Sequence, residues 1–537
     1  MRASRQNDRR VFGGRGAEAA PEDERKNMGK LLKKSIGQVL REQAAARPDR
    51  PAVTGEDCAW TYAALNRKSD ALAASLLAHG VEKGTHVGIW ADDRPETLLC
   101  FYAVWKLGAV AVPLCTAYTK EEMNHCIRTA DVTVLLVDGT LQQRANAYFL
   151  TPGLLPIHTL LGEEHPLPKK WPQVTWGDAD TILFTSGSAG KTKPVITTHF
   201  NRVNTMYAQA NAMQAGERDR FCMALPLYHC FSLTANALAA LAAGACACFP
   251  ANRRGKTILD TIQREKCTIL TAVPTLFSVL LRRYREGSWD LSSLRTGMIG
   301  GSSYSPGLYE ELCRTFRFTL LPSLGQTEAT AGITSCALDD SMERRMTTVG
   351  QFFPGIRGCI KSTVTGKMLP CGSEGEICIK GFNVMQGYYM RPVATSYVID
   401  QEGWLHTGDL GRLDEEGYLT YVGRKRDIII RGGENIAPGE IEDLLHRDIR
   451  VQEAKVIGVP DPHYTEEVCA CVVAEPGVTA EELRKLVCSH AAAFKAPRYV
   501  LFFDDFPLLG NGKLNMTALR RQVQERLEQH AGTHANM

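Results

Sequence analysis

From about Ser35 the chain alternates helical and extended patterns, and this alternation limits its fold more than any single motif. Ile36, Val39, Leu40 and Ala44 recur at helical spacing, and Trp60-Thr61-Tyr62 leads into a second helix through Leu65, Leu72 and Leu76. Residues 87–90 read as a strand, 96–107 as a helix and 109–113 as a strand again. Further strand-like runs follow at 132–137, 181–184, 222–225, 245–249, 269–273 and 297–299. Strand–helix alternation of this kind predicts an α/β protein built on helix-covered, mostly parallel sheets.

After Thr348 glycines and short β-like runs dominate, at 375–379, 419–422 and 427–430, predicting a smaller and more antiparallel region. Helical patterns at 441–445 and 481–489 then lie among strands at 454–459, 468–473 and 500–503, enough for a compact α+β unit. The Gly-rich segment Arg431-Gly432-Gly433 joins it to what precedes. The expected organisation is a disordered extension over residues 1–27, a large body over 28–425, a small mobile domain over 426–527 and a tail over 528–537. A chain of 537 residues exceeds what one core supports.

Composition narrows the function. A net charge of +3 gives no dedicated nucleic-acid surface. The 17 cysteines are scattered, with no CxxC pair and no Cys/His cluster at metal-ligand spacing, which reads as reduced thiols in the cytosol and argues against zinc. Residues 233–249 contain Thr234, Asn236 and Gly244 and read as a buried helix running into a strand, not as a membrane span. Oligomeric state leaves no trace in the sequence.

The apolar run 181–184 feeds Thr185-Ser186-Gly187-Ser188-Ala189-Gly190-Lys191-Thr192-Lys193. Small residues let backbone N–H groups approach an anion, hydroxyls add donors and lysines add charge, so the loop suits phosphate oxygens. A surface turn is the alternative. Gly190-Lys191-Thr192 ends like a P-loop, but Thr185 stands where that motif needs its first glycine.

Four further stretches accompany this loop. They are Ser323-Leu324-Gly325-Gln326-Thr327-Glu328, the run from Gly403 to Leu410, the run from Gly423 to Ile436, and Gly510-Asn511-Gly512-Lys513. In this order and spacing the five resemble the adenylate-forming enzymes: acyl-CoA synthetases, luciferases and peptide-synthetase adenylation domains. The resemblance covers the chain from about Ser35 to Leu527. It implies that family's fold, with a large domain of parallel sheets, a small β-rich subdomain and a mobile C-terminal lid. It also implies an enzyme that activates a carboxylic acid with ATP and Mg²⁺ to an acyl-adenylate, then passes the acyl group to the thiol of CoA.

By the same resemblance Thr185, Ser186, Ser188 and Lys193 hold the β- and γ-phosphates of the leaving pyrophosphate, Gly187, Ala189 and Gly190 belong to the same nucleotide-binding stretch, and Glu328 binds Mg²⁺ beside Thr327 at the α-phosphate. Gly301, Ser302, Ser303, Leu324, Gly325 and Gln326 surround the nucleotide, and Asp409 with Arg424 takes the ribose. Lys513 is the catalytic cation and Arg426 the hinge. Gly432 and Gly433 admit the CoA arm, and Tyr228, His229, Phe231, Gly300 and Gly301 line the acyl pocket. His229 has two readings, a core-facing aromatic and a gate near the reacting carboxylate.

Three positions depart from the family pattern. Thr192-Lys193-Pro194 replaces Pro-Lys-Gly, Ala189 replaces a threonine, and Leu324 replaces an aromatic. No acidic residue follows Tyr228-His229, which argues against an amino-acid substrate. Pro226-Leu227-Tyr228-His229-Cys230-Phe231 looks most like medium- and long-chain fatty acyl-CoA ligases. An enzyme loading an acyl carrier protein, and a non-catalytic nucleotide- or acyl-binding relative, are the alternatives.

Overall fold

The computed structural model describes residues 31–148, 153–185, 192–302, 304–431, 434–461, 464–509 and 514–534. The expected extension over residues 1–27 lies outside them. Helix Ile36–Ala46 starts at a capping box: Gln38 N–H donates to Ser35 Oγ and Ser35 N–H to Gln38 Oε1. The second helix runs Tyr62–Ala78 behind its Thr61 cap. Helix Pro95–Leu107 has Pro95 in its first turn and Gly108 in the left-handed conformation after its end. It is buried almost all round, Lys106 included, whose ammonium pairs with Asp70 at 2.7 Å.

Among the described residues there are four sheets. One has seven strands, of which 153–156, 134–137, 86–90, 110–113 and 179–185 run parallel. Strand Lys193–Thr198 returns antiparallel to Ala179–Thr185, with Thr185 and Lys193 as register partners, and Gly387–Tyr388 closes that edge. A nine-stranded sheet carries a parallel centre from 51–54, 246–248, 220–222, 269–270, 296–299 and 319–324. The largest core packs the two long helices against both sheets, with Val87, Ile89 and Ala111 from one and Val53, Phe221 and Ala247 from the other.

The region after Thr348 forms an antiparallel four-stranded sheet, as its texture predicts. The C-terminal part builds its own sheet and two cores of its own, around Ile441 and Val468 and around Phe503 and Leu519. Residues 233–249 resolve into Leu233–Leu238 in π-helical conformation, Ala239–Ala243 as α-helix and strand Cys246–Cys248. The final helix, Met516–His534, continues past Leu527 into the expected tail. No helix among the described residues is long and apolar enough to cross a membrane.

Candidate active site

The parallel strands of both large sheets end around one space. Pro113 and Cys115, Phe184 and Thr185, Leu225, Pro226 and Tyr228 to Phe231, Val273, Gly300 and Gly301, and Ser323 with Gly325 to Glu328 lie at or just beyond strand carboxyl ends and line a cavity of about 770 Å³. Ligands of open α/β sheets bind in such crevices, because the loops there are free of the sheet's own hydrogen bonding. Glu376, His406 to Asp409, Arg424 and Lys425 close a second side from the four-stranded sheet. Leu508, Leu509 and Asn515 close the third from the C-terminal part.

On the first side, Thr185 and Lys193 are register partners that flank residues 186–191 in the chain, and both line the cavity. Lys193 Nζ stands 4.9 Å from the centre of the Tyr388 ring. The Tyr388 hydroxyl donates to Glu328 Oε1 at 2.9 Å, and Glu328 shares a single 3₁₀ turn with Thr327. Glu328 is the kind of hard oxygen donor that Mg²⁺ prefers. Glu328 lines the cavity and one of its oxygens accepts from a neutral hydroxyl, which leaves the carboxylate its charge, so the residues present fit the ion.

Opposite, strand pairing sets the next constellation. Asp409 and Arg424 are register partners between strands Leu405–Leu413 and Leu419–Arg424, with Arg424 Nε 3.3 Å from Asp409 Oδ1. Asp409 is 4 % exposed, so its carboxylate is held for polar contact inside the cavity. Gly408, at φ +72°, takes a backbone conformation unfavourable to other residues, and its N–H donates to Glu376 Oε1 at 3.1 Å. Folding also brings ligand atoms of Glu376, Cys378 and His406 within 4.8 Å of one another, a grouping that linear spacing does not show. Lys425 lies 3.4 Å from Glu376, and Lys361 pairs with Asp400 beside His406, so cations already balance these carboxylates.

The segment from Pro226 to Phe231 is anchored from below. Leu227 N–H donates to Asp93 Oδ1 at 2.7 Å, and Ser232 Oγ donates to Leu225 O at 2.6 Å. Burial pushes the Asp93 carboxyl up to about 6 against the pull of Arg253, 3.2 Å away. Cys230 Sγ lies 3.5 Å from Thr327 Oγ1, so the acyl-side segment touches the turn carrying Thr327 and Glu328. Gly300 permits the close approach beneath: a Cβ there would stand 2.5 Å from Ser323 O and 3.8 Å from Phe231.

Residues on both sides of the Gly510–Lys513 stretch pair with one another. Leu508 and Leu514 form a bridge, and Asn515 N–H donates to Pro507 O at 2.7 Å. Leu508, Leu509 and Asn515, which flank that stretch in the chain, stand at the cavity wall.

Of the residues singled out from sequence, Thr185, Lys193, Tyr228, His229, Phe231, Gly300, Gly301, Gly325, Gln326, Thr327, Glu328, Asp409 and Arg424 line this cavity together. Ser186, Gly187, Ser188, Ala189, Gly190, Ser303, Gly432, Gly433 and Lys513 lie outside the described residues, as does the Arg426 side chain. Ser302 is exposed and Leu324 packs against the main core, neither among the cavity lining. Side chains alternate along a strand, and in Thr319–Leu324 it is Ser323 that meets the cavity. Sequence reading passed over Cys115, Tyr118, Val273, Glu376, Tyr388 and Lys425. Only Gly387-Tyr388-Tyr389 gives a local cue, and it is also an ordinary strand sequence.

Comparison with known proteins agrees with this geometry. Residues 40–389 match the family described as AMP-binding enzyme, and residues 440–513 match the AMP-binding enzyme C-terminal domain. The chain belongs to the AMP-binding enzyme family. It is an AMP-forming acid–thiol ligase. YngI of Bacillus subtilis (strain 168) is 33% identical over 544 residues, covering 93% of this chain and 98% of that protein. The mitochondrial medium-chain acyl-CoA ligase ACSF2 of Rattus norvegicus is 30% identical over 546 residues, covering 93% and 89%. The o-succinylbenzoate CoA synthetase MenE of Bacillus subtilis, in complex with the acyl-adenylate OSB-AMP, superposes with a TM-score of 0.81 at 30% identity, covering 91% and 98%. The same protein has been solved with ATP and a magnesium ion. In this AMP-binding enzyme both matched regions contribute walls to one cavity.

Proposed function

We propose that the chain joins a medium- or long-chain fatty acid to CoA, cleaving ATP to AMP and pyrophosphate through an acyl-adenylate. One observation carries this reading. A single cavity joins an uncharged end, formed by Leu225, Pro226, Tyr228, Phe231, Val273 and Gly300, to a polar end with Thr327, Glu328, Asp409 and Arg424. These residues offer an acyl chain apolar and aromatic contact. The polar end offers an anion, a cation and hydroxyls to a nucleotide.

A carboxylate is a poor electrophile, so the protein's task is to place it in line with the α-phosphorus and to stabilise the charge that develops there. Thr327 donates to the α-phosphate, and Thr185 and Lys193 hold the departing pyrophosphate with the loop between them. Asp409 accepts both ribose hydroxyls, with Arg424 fixing the carboxylate in place. Mg²⁺, when bound by Glu328, neutralises phosphate charge. Lys513, in the stretch between Leu509 and Leu514, supplies the cation for adenylate formation.

In this reading residues 28–425 form the ATP- and acyl-binding body and 426–527 the lid, rotating about Arg426. The rotation exchanges Lys513 for the Gly432-Gly433 segment, along which the thin pantetheine arm enters. His229 gates that path. The free state of all 17 cysteines suits a cytosolic setting.

A panel of acids at equal concentration tests the substrate. We expect kcat/KM to rise along a saturated series by about 1–3 kcal/mol per methylene until the pocket is filled. Preference for an aryl or dicarboxylic acid over every fatty acid would overturn the assignment.

A further inference from the structure

We propose that Tyr388 is a positioning residue for nucleotide binding: its hydroxyl fixes one oxygen of Glu328, leaving the other to Mg²⁺, while its ring holds Lys193. The inference rests on the reading of Glu328 as the metal carboxylate and adds to it the group that aims that carboxylate.

Tyr388 is itself held from several directions. Its backbone pairs with Val195 across the sheet edge, and its N–H donates to Thr395 Oγ1 at 2.9 Å. Its ring packs with Val195 and Met385 and is 5 % exposed. The hydroxyl has no rotational search to make before it meets Glu328 Oε1 at 2.9 Å.

The rest of the segment grips the same turn. Met385 N–H donates to Glu328 O at 2.9 Å, Thr330 Oγ1 donates to Asn383 O at 2.7 Å, and Asn383 Nδ2 donates to Gly332 O at 2.6 Å. Asn201 Nδ2 in turn donates to Phe382 O and Val384 O, tying the segment to the helix that follows Lys193–Thr198. Glu328 is thus gripped at its backbone by Met385 and at its side chain by Tyr388.

Two consequences follow from the chemistry. A carboxylate with one oxygen occupied by a neutral donor keeps its full charge and loses its rotational freedom, which favours a metal demanding octahedral geometry. Tyr388 also meets Lys193 with its ring and Glu328 with its hydroxyl. Lys193 is thereby engaged by an aromatic face instead of closing a direct ion pair on Glu328, which would compete with the metal.

Calorimetric titration of ATP, with and without excess Mg²⁺ and with no acid or CoA present, reads this separately from turnover. Tyr388→Phe keeps the ring and its packing and removes only the hydroxyl. We expect it to cut the Mg²⁺-dependent gain in ATP affinity about tenfold while leaving metal-free ATP affinity and the thermal midpoint unchanged. A purely structural role would weaken both affinities together, and that result overturns the proposal. Glu328→Gln is the companion measurement. If it removes the Mg²⁺-dependent gain and Tyr388→Phe does not, Glu328 binds the metal without help from Tyr388. If Glu328→Gln leaves the gain intact, the metal reading itself fails and the proposal falls with it.

Discussion

Asp409 and Arg424 face each other across neighbouring antiparallel strands, the guanidinium Nε 3.3 Å from the carboxylate Oδ1, with Asp409 buried and Arg424 half in solvent. The proposed function has this carboxylate accept both ribose hydroxyls. Asp409→Asn is therefore expected to raise the KM for ATP about 10–100-fold, the usual cost of hydrogen bonds to a charged group, with little change in fold stability. Steady-state kinetics with ATP as the varied substrate checks it. Unchanged KM would remove Asp409 from the nucleotide site.

Beneath the phosphate-loop strand lies a second acid–base pair with a different job. Asp180 and Arg202 are both fully buried and ion-paired, and Arg202 also donates to Thr197 Oγ1 and to Thr234 Oγ1. Breaking such a pair leaves an uncompensated interior charge. Arg202→Met should cost about 3–5 kcal/mol in urea unfolding, and Arg202→Met with Asp180→Asn should recover much of it. An equal loss in the double variant would mean that packing, not charge, dominates here.

His199 gives the fold an acid sensitivity. Burial lowers its imidazole from 6.5 to about 4, despite Asp180 nearby, and its Nδ1 accepts from Ile36 N–H at 3.4 Å. Because the folded pKa lies below the unfolded one, the unfolded state binds the extra proton between these values. The contribution is intact above about pH 6.5 and is lost as pH falls toward 4. His199→Phe, if it folds, should lose about 2 kcal/mol less stability than the wild type between pH 7 and pH 5. Parallel pH profiles would contradict this.

The proposed function gives Lys513 a part in only the first of two half-reactions. Lys513→Ala should slow acyl-adenylate formation about 10²–10³-fold, the scale of losing one transition-state donor, while thiolysis of supplied acyl-adenylate by CoA proceeds at the wild-type rate. Equal loss of both steps would overturn the assignment.

How much of this was legible in the sequence depends on the range of the interactions involved. The parallel sheets followed from local patterns: helix Pro95–Leu107 and strand His86–Trp90 fall within a residue of where apolar spacing puts them. Thr327, Glu328, Asp409 and Arg424 were found because each sits in a contiguous motif, and the structure gathers them at one cavity. Register was not legible. Nothing local says that Lys193 begins a strand returning antiparallel to Thr185, or that Tyr388 reaches Glu328 sixty residues earlier in the chain. Leu324 shows the converse, a motif position whose side chain packs into the core while its neighbour Ser323 meets the cavity.

The central claim is that the cavity adenylates a fatty acid and hands it to CoA. Pyrophosphate release with ATP, Mg²⁺ and a fatty acid, measured with and without CoA, tests it most directly. The account predicts acid-dependent release that becomes catalytic only when CoA is added, with acyl-CoA formed in equal amount. Acid-dependent release that CoA does not accelerate would assign another acceptor, such as a carrier protein, and absence of release with any acid would contradict the account.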